Sequence, residues 1–261
     1  MTAHPPRENP EQTITLLHVR EIHRYNDWVF SYLASLVRGR VLEMGCGIGT
    51  YSARLRPLAD RLTCVDMNPS YVGMVRELLG DDQGTSVITG VLGEDLSFPG
   101  GSFDTIVCLN VIEHIWDDQG AVRLLAGWLA LGGTLLVQVP AHQWLFGSID
   151  AALGHYRRYT ASRLTSLLEA GGLALATPPR YLFILGIPGW WWYGRVLRRT
   201  AVPEQSIRLS NLLAGVSRVL ERALRLPLGL TLLAAARSTP KPSPPIDAAR
   251  RTRGSFQLTR Q

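Results

Sequence analysis

The stretch Val41-Leu42-Glu43-Met44-Gly45-Cys46-Gly47-Ile48-Gly49 decides how this chain is read. Its first four residues form a short, mostly apolar run, the mark of a buried strand, and glycines at alternate positions end it. Glycine allows a sharp turn at the strand's carboxyl end and a close approach of backbone to a ligand. The spacing is G-x-G-x-G, with the acid Glu43 before it. A dinucleotide fingerprint needs a further glycine where Thr50 stands, and no P-loop lysine follows. Asp66 comes seventeen residues after Gly49, at the end of the next apolar run, 61–65. A carboxylate there can accept both hydroxyls of a ribose. In an open α/β sheet that edge is where ligands bind.

Outward from this turn, strands and helices alternate. Before it, apolar residues from Leu16 to Leu36 recur at three- and four-residue steps and predict a helix over 13–37. After it come strands at 61–65, 87–91, 103–109 and 133–139, with a sixth expected at 173–177 and a seventh at 229–237. Asn68-Pro69 opens a helix to about residue 79, and another is expected over 118–131. Thr160 caps a third, which Gly171-Gly172 stops. This alternation predicts an α/β fold, a parallel sheet covered on both faces. Residues 1–12 read as a disordered leader, 13–237 as one domain, and 238–261 as a disordered basic tail.

Four motifs in order carry a resemblance. The chain resembles a class I S-adenosylmethionine-dependent methyltransferase in residues 43–49, in Asp66, in Phe103-Asp104 and in the turn Leu131-Gly132-Gly133. The run Asn110-Val111-Ile112-Glu113-His114-Ile115 resembles the ubiquinone-biosynthesis-like subgroup. The resemblance covers residues 20–177 and the last strand. It implies a Rossmann-like, doubly wound, seven-stranded and mostly parallel sheet, with a helical insertion before the last strand. It implies S-adenosyl-L-methionine as cofactor, with Glu43 in the first motif and Gly45, Gly47 and Gly49 against the methionine part. Asp66 is then the ribose ligand and Met67 lies along the adenine. Glu94, Asp95 and Leu96 fall near the adenine edge, and Asn110 and Val111 line the methyl end. Tyr25 and Asn26 are expected to cover the cofactor's amino acid. Leu92 stands where many relatives have Asp, which leaves the adenine amino group to Asp95 or to backbone.

An acceptor that carries a proton gains from a base near working pH, and histidine is the natural one. His114 follows strand four. His155 sits in the loop from Asp150 to Tyr159, which holds an acid, a histidine, two arginines and two tyrosines. Asp150, Tyr159, His114 and His155 are the candidate catalytic residues. Each has a bland reading beside it: a structural hydrogen bond for His114, a capping acid for Glu113, a salt-bridged surface for the loop. The pattern GSID…GHYRRYT is similar to a bacterial methyltransferase subgroup often associated with glycosyltransferases, which points to sugar-containing or lipid-linked small-molecule acceptors. Residues 110–113 lack the Asn/Asp-Pro-Pro-aromatic motif of DNA amino methylation. No cluster of acids suggests a metal, and none is expected.

Charge is segregated along the 261 residues. Residues 1–177 carry 13 arginines against 18 acids, whereas 178–226 carry eight arginines against two glutamates. The net +6 therefore belongs to the C-terminal part, and the acidic body argues against a nucleic-acid partner. Three cysteines at no metal-ligand spacing argue against a disulfide framework. The first residues lack a signal peptide's apolar core, so a cytoplasmic location is expected, with contact at the membrane periphery left open. The insertion 178–228 joins Trp190-Trp191-Trp192 to Arg195, Arg198 and Arg199 and then to an amphipathic helix over 207–226. Its apolar stretch, 181–194, is too short to span a bilayer. Three roles stand open for it: a wall of the acceptor pocket, a membrane-surface contact, or a homodimer contact through 181–226. A non-catalytic S-adenosylmethionine-binding scaffold is the alternative function, and behind it a nucleic-acid methyltransferase, which would rest on the basic insertion and tail alone.

Overall fold

The computed structural model describes residues 9–224 and 226–239. Seven strands form one sheet: β1 (Arg40–Met44), β2 (Arg61–Asp66), β3 (Thr85–Thr89), β4 (Phe103–Leu109), β5 (Leu129–Pro140), β6 (Leu173–Leu182) and β7 (Thr231–Ser238). Their order is β3-β2-β1-β4-β5-β7-β6. The first five run parallel, and β7 inserts antiparallel between β5 and β6. The order reverses between β1 and β4, and the carboxyl ends on either side of that switch frame the crevice where such sheets bind ligands.

Alternation sorts the core. Leu42 and Met44 pack on one face, with α5 (Asp118–Trp128) and α7 (Ala161–Ala170). Val41 packs on the other, with α2 (His23–Leu33). Several of the helices start where a side chain satisfies free amides. Asn68 accepts from Ser70 N at the head of α4 (Pro69–Leu79), Asp117 from Gly120 N at α5, and Thr160 from Arg163 N at α7.

The leading helix expected over 13–37 is two helices, α1 (Pro10–Glu21) and α2, broken at Ile22. Asn26 Nδ2 donates to the carbonyls of Val19 and Arg20, at 2.8 and 3.1 Å, and satisfies the end of α1. Because α1 begins at Pro10, residues 10–12 are helical and not leader; residues 1–8 and the tail from 240 lie outside the described residues. The glycine turn leads into one short helix, α3 (Ser52–Leu55). The loop after β5 holds a second, α6 (Ser148–Leu153). Strand β6 runs five residues past its expected end, through Pro178-Pro179, on the sheet's open edge, where missing amides cost nothing. The insertion then folds as α8 (Ile187–Trp191), a π turn over Trp192–Val196, and α9 (Ser206–Leu224).

Candidate active site

At the end of β1 the backbone doubles back under β2: Gly45 N and Cys46 N both donate to Val65 O. Gly45 has φ +75°, and a Cβ there would run into the side chain of Val111. The loop after β4 therefore packs directly on the first turn, and only glycine fits between them. Asp66 closes the arrangement, with Oδ2 accepting from Gly47 N at 2.8 Å and Oδ1 from Asn68 N at 2.9 Å. Burial raises its carboxyl's proton affinity, and these amide hydrogen bonds oppose that rise. Each oxygen has a second lone pair for a ligand. Met67, next along, is 47% exposed.

Two of the expected cofactor residues, Glu43 and Tyr25, are bonded within the protein. Glu43 lies beneath the turn, buried, and accepts from Ser52 Oγ at 2.6 Å and Cys64 Sγ at 3.4 Å. Burial pushes it up to about 7. It braces the turn from below. Tyr25 is a core residue: its ring packs on Phe183, and its hydroxyl is bonded to Gln138 on β5 and Thr231 on β7. It anchors α2 to the sheet, which corrects its expected role over the cofactor. The cover over the turn comes from α1, whose Leu16 lies where a Cβ on Gly47 would meet it at 3.5 Å. Nothing in the spacing of Leu16 distinguished it from its neighbours on the same helix. Near the adenine edge, Glu94 is exposed, Asp95 accepts from Val91 N, and Leu96 packs half-buried against Gly90. Asn110 is exposed at φ +54°, its amide bonded to Gln138 O, and Val111 follows half-buried.

The acceptor side centres on Asp150, which is wholly buried in α6. Its Oδ1 takes His155 Nδ1 at 2.9 Å and Arg158 Nε at 2.8 Å, and its Oδ2 takes Gly147 N at 3.0 Å and Trp190 Nε1 at 3.4 Å. Burial alone would raise this carboxyl, but the His155 hydrogen bond and Arg158 outweigh it and hold it below the usual range. His114 meets His155 edge-to-face, ring centres 4.6 Å apart. Burial, then His155, pushes His114 down to about 3. Glu113 is fully buried, pushed up to about 7 by burial, and neither carboxylate oxygen has a hydrogen-bond partner.

Tyr159 does not join this cluster. It is fully buried in the core and its hydroxyl donates to Asp118 Oδ2 at 3.0 Å, a structural role that corrects its place among the catalytic candidates. Trp190 does join, through Asp150 and through the Arg158 guanidinium 4.7 Å above its ring, while Trp191 and Trp192 remain 42% and 50% exposed. Against the expectation of no metal-binding cluster, the ligand atoms of Glu113, His114 and His155 lie within 4.8 Å of one another.

A sheet in this order with a ligand-ready turn at its switch point defines a nucleotide-type cofactor fold, and comparison places it. Residues 17–177 match the methyltransferase-domain family, and the chain belongs to that family. A Mycolicibacterium smegmatis protein named "Probable S-adenosylmethionine-dependent methyltransferase" is 34% identical over 152 residues, 57% of this chain and 58% of its own length. A ubiquinone biosynthesis O-methyltransferase of Xanthomonas euvesicatoria is 32% identical over 123 residues, 45% of this chain and 51% of its own. The chain thus spans little more than half the length of these relatives. An S-adenosylmethionine-dependent methyltransferase of Mesorhizobium loti shares the fold at a TM-score of 0.55 and 17% identity, covering 77% of this chain and 92% of that one. So does a Haemonchus contortus phosphoethanolamine N-methyltransferase in complex with S-adenosyl-L-methionine, at 0.58 and 15%, covering 82% and 53%.

Proposed function

We propose that this protein transfers a methyl group from S-adenosylmethionine to an oxygen or nitrogen of a small-molecule acceptor with an apolar part. The observation that carries the reading is the packing of Val111 on Gly45. One short segment, residues 110–114, touches the cofactor turn at its start and reaches the Asp150–His155 cluster at its end. The Asp66 turn takes the ribose and amino-acid portions, and the methyl group lies near Asn110. In the reaction the sulfonium–methyl bond breaks as the acceptor's bond to carbon forms, and the acceptor proton goes to a base. His155 is that base: Asp150 holds its Nδ1 and leaves Nε2 for the acceptor. His114, pushed down to about 3, is too weak a base at neutral pH. Trp190 walls the acceptor.

The test is an unbiased acceptor screen with methyl-labelled S-adenosylmethionine, followed by His155→Ala on the acceptor found. Turnover should fall by about a hundredfold or more with cofactor affinity intact. Unchanged turnover would remove His155 from the chemistry.

The surface of α9 favours a lipid-linked acceptor. Only Ala214 and Ser217 are buried on it, while Leu209, Leu212, Val216, Val219 and Leu224 are each over 40% exposed. Arg208 and Arg222, both exposed, lie to one side of this apolar stripe, a pattern suited to an anionic lipid interface. No helix among the described residues is long and apolar enough to cross a membrane. Flotation with anionic vesicles tests this: binding should vanish in Leu212→Asp/Val216→Asp. Self-association through the same face, without flotation, would make α9 a homodimer contact.

A further inference from the structure

We propose that Glu113, His114 and His155 form a binding site for one divalent transition-metal cation of the zinc class. The first two residues are consecutive in the 3-10 turn Ile112–His114 after β4, and the third follows α6, so the fold brings together groups far apart in the chain. Their ligand atoms lie within 4.8 Å of one another. Metal bonds of about 2.0–2.2 Å place tetrahedral ligands roughly 3.4 Å apart. Closing on a cation thus takes side-chain movements of the order of one ångström, shared by three residues.

The strongest sign is Glu113. It is 0% exposed, and both oxygens lack any partner. A buried carboxylate with nothing to receive is costly, and natural structures satisfy such groups with donors, water or an ion. Two imidazoles converge on it, and the Arg158 Nε goes to Asp150. His155 is also set up as a ligand. Asp150 Oδ1 fixes its Nδ1 at 2.9 Å, which leaves Nε2 to coordinate, and Arg158 Nε in turn holds Asp150 at 2.8 Å. A carboxylate behind a histidine is the usual outer support of a metal-bound imidazole. Two nitrogens and one oxygen suit zinc, cobalt, iron or manganese better than magnesium or calcium. Three protein ligands leave a coordination position vacant, the mark of a catalytic site. The assignment deepens the acceptor side of the methyltransferase reading. An acceptor hydroxyl in the vacant position would release its proton to water more readily, and the cation, with His155 as its ligand, would replace His155 as the activating group.

The experiment uses the full, tag-free chain, stripped with chelator and titrated with cobalt(II). One cobalt per chain should bind, with the intense visible absorption of a four- or five-coordinate site, and zinc should displace it. Glu113→Gln, His114→Ala and His155→Ala should each weaken cobalt binding at least a hundredfold, and Asp150→Asn by ten- to a hundredfold. Wild-type protein that binds no cobalt at micromolar concentration overturns the site even if a variant fails to fold, as does binding that survives all three ligand substitutions. Calorimetry with S-adenosylmethionine on the stripped chain separates the two readings. Cofactor binding without cobalt binding sinks the cation site alone, and loss of both sinks the methyltransferase reading with it.

Discussion

Asp66 does two jobs with one carboxylate. It ties the glycine turn through Gly47 N and Asn68 N, and on the proposed reading its remaining lone pairs would take a ribose. Asp66→Ala should therefore lower S-adenosylmethionine affinity by at least tenfold, since each charge-assisted hydrogen bond is worth about 1.5–3 kcal/mol. Titration calorimetry reads the loss, and unchanged affinity would move the ribose elsewhere. Glu43 leaves a signature in the pH dependence of stability. Burial raises it from 4.5 to about 7 in the folded state, so the folded protein binds more protons than the unfolded chain. Its contribution is most favourable below about 4.5 and is lost as pH rises through about 7. Glu43→Gln should flatten this part of the pH profile in denaturant titrations between pH 5 and 8. An unaltered profile would mean that Glu43 stays charged beside Ser52. At this scale the sequence showed the motif residues plainly, because Gly45 and Asp66 are local features of a strand and its turn. It could not show Tyr25 or Tyr159 as core residues. A tyrosine near a site looks the same in sequence whether its hydroxyl meets a ligand or, as here, Thr231 and Asp118.

The insertion shows what an element can hide. Three consecutive tryptophans cannot share one helical face. The structure separates them: Trp190 turns inward to Asp150 and Arg158, and its two neighbours face outward. Gly147 lies close against Gly194, and Ser148 Oγ donates to Gly194 O at 2.9 Å, so the π turn seats on the head of α6. Trp190→Ala should raise the acceptor's KM several-fold and leave cofactor affinity unchanged, whereas Trp191→Ser/Trp192→Ser should spare KM for a water-soluble acceptor. Steady-state kinetics on both variants decides it, and equal effects would dissolve the distinction. The periodicity of α9 was legible as an amphipathic helix. The direction of its apolar stripe was not, because the buried side is lined by the small residues Ala214 and Ser217 and by Glu221, which bonds Ile184 N.

Over the whole molecule, alternating strands and helices were enough to announce the sheet; the glycine turn and Asp66 fell at its carboxyl edge, while Phe103-Asp104 and Leu131-Gly132-Gly133 fell at the amino-end side of β4 and β5. The convergence of Glu113 and His114 with His155 was not announced, since it depends on how the loop after β5 folds back over the turn after β4. That fold-back is held by Tyr156 N on Glu113 O and by Arg157 on the carbonyls of Ile115 and Trp116. Arg157→Ala should therefore loosen the acceptor side and leave the cofactor turn unaffected. Hydrogen exchange should quicken in residues 112–117 and 154–158 and stay constant in 43–49; quickening in both regions would join them into one folding unit.

The first helix has a consequence for the order of events. Leu16 lies over Gly47, Thr13 Oγ1 meets Tyr71 OH at 2.7 Å, and Asn9 Nδ2 donates to Ala152 O at 2.9 Å on α6. One short segment therefore clasps the cofactor's doorway and the acceptor loop together, yet α1 buries none of its own residues. A clasp with so little buried surface unlatches cheaply, and on the proposed reading the used cofactor would leave past it. Turnover would then be gated by departure of S-adenosylhomocysteine, with the cofactor first in and last out. Asn9→Ala, which removes both the helix cap and the latch, should speed product release and expose residues 10–21 to proteolytic nicking. S-adenosylhomocysteine should protect the wild-type chain from that cleavage. Nicking equally slow in both chains would leave the doorway ungated.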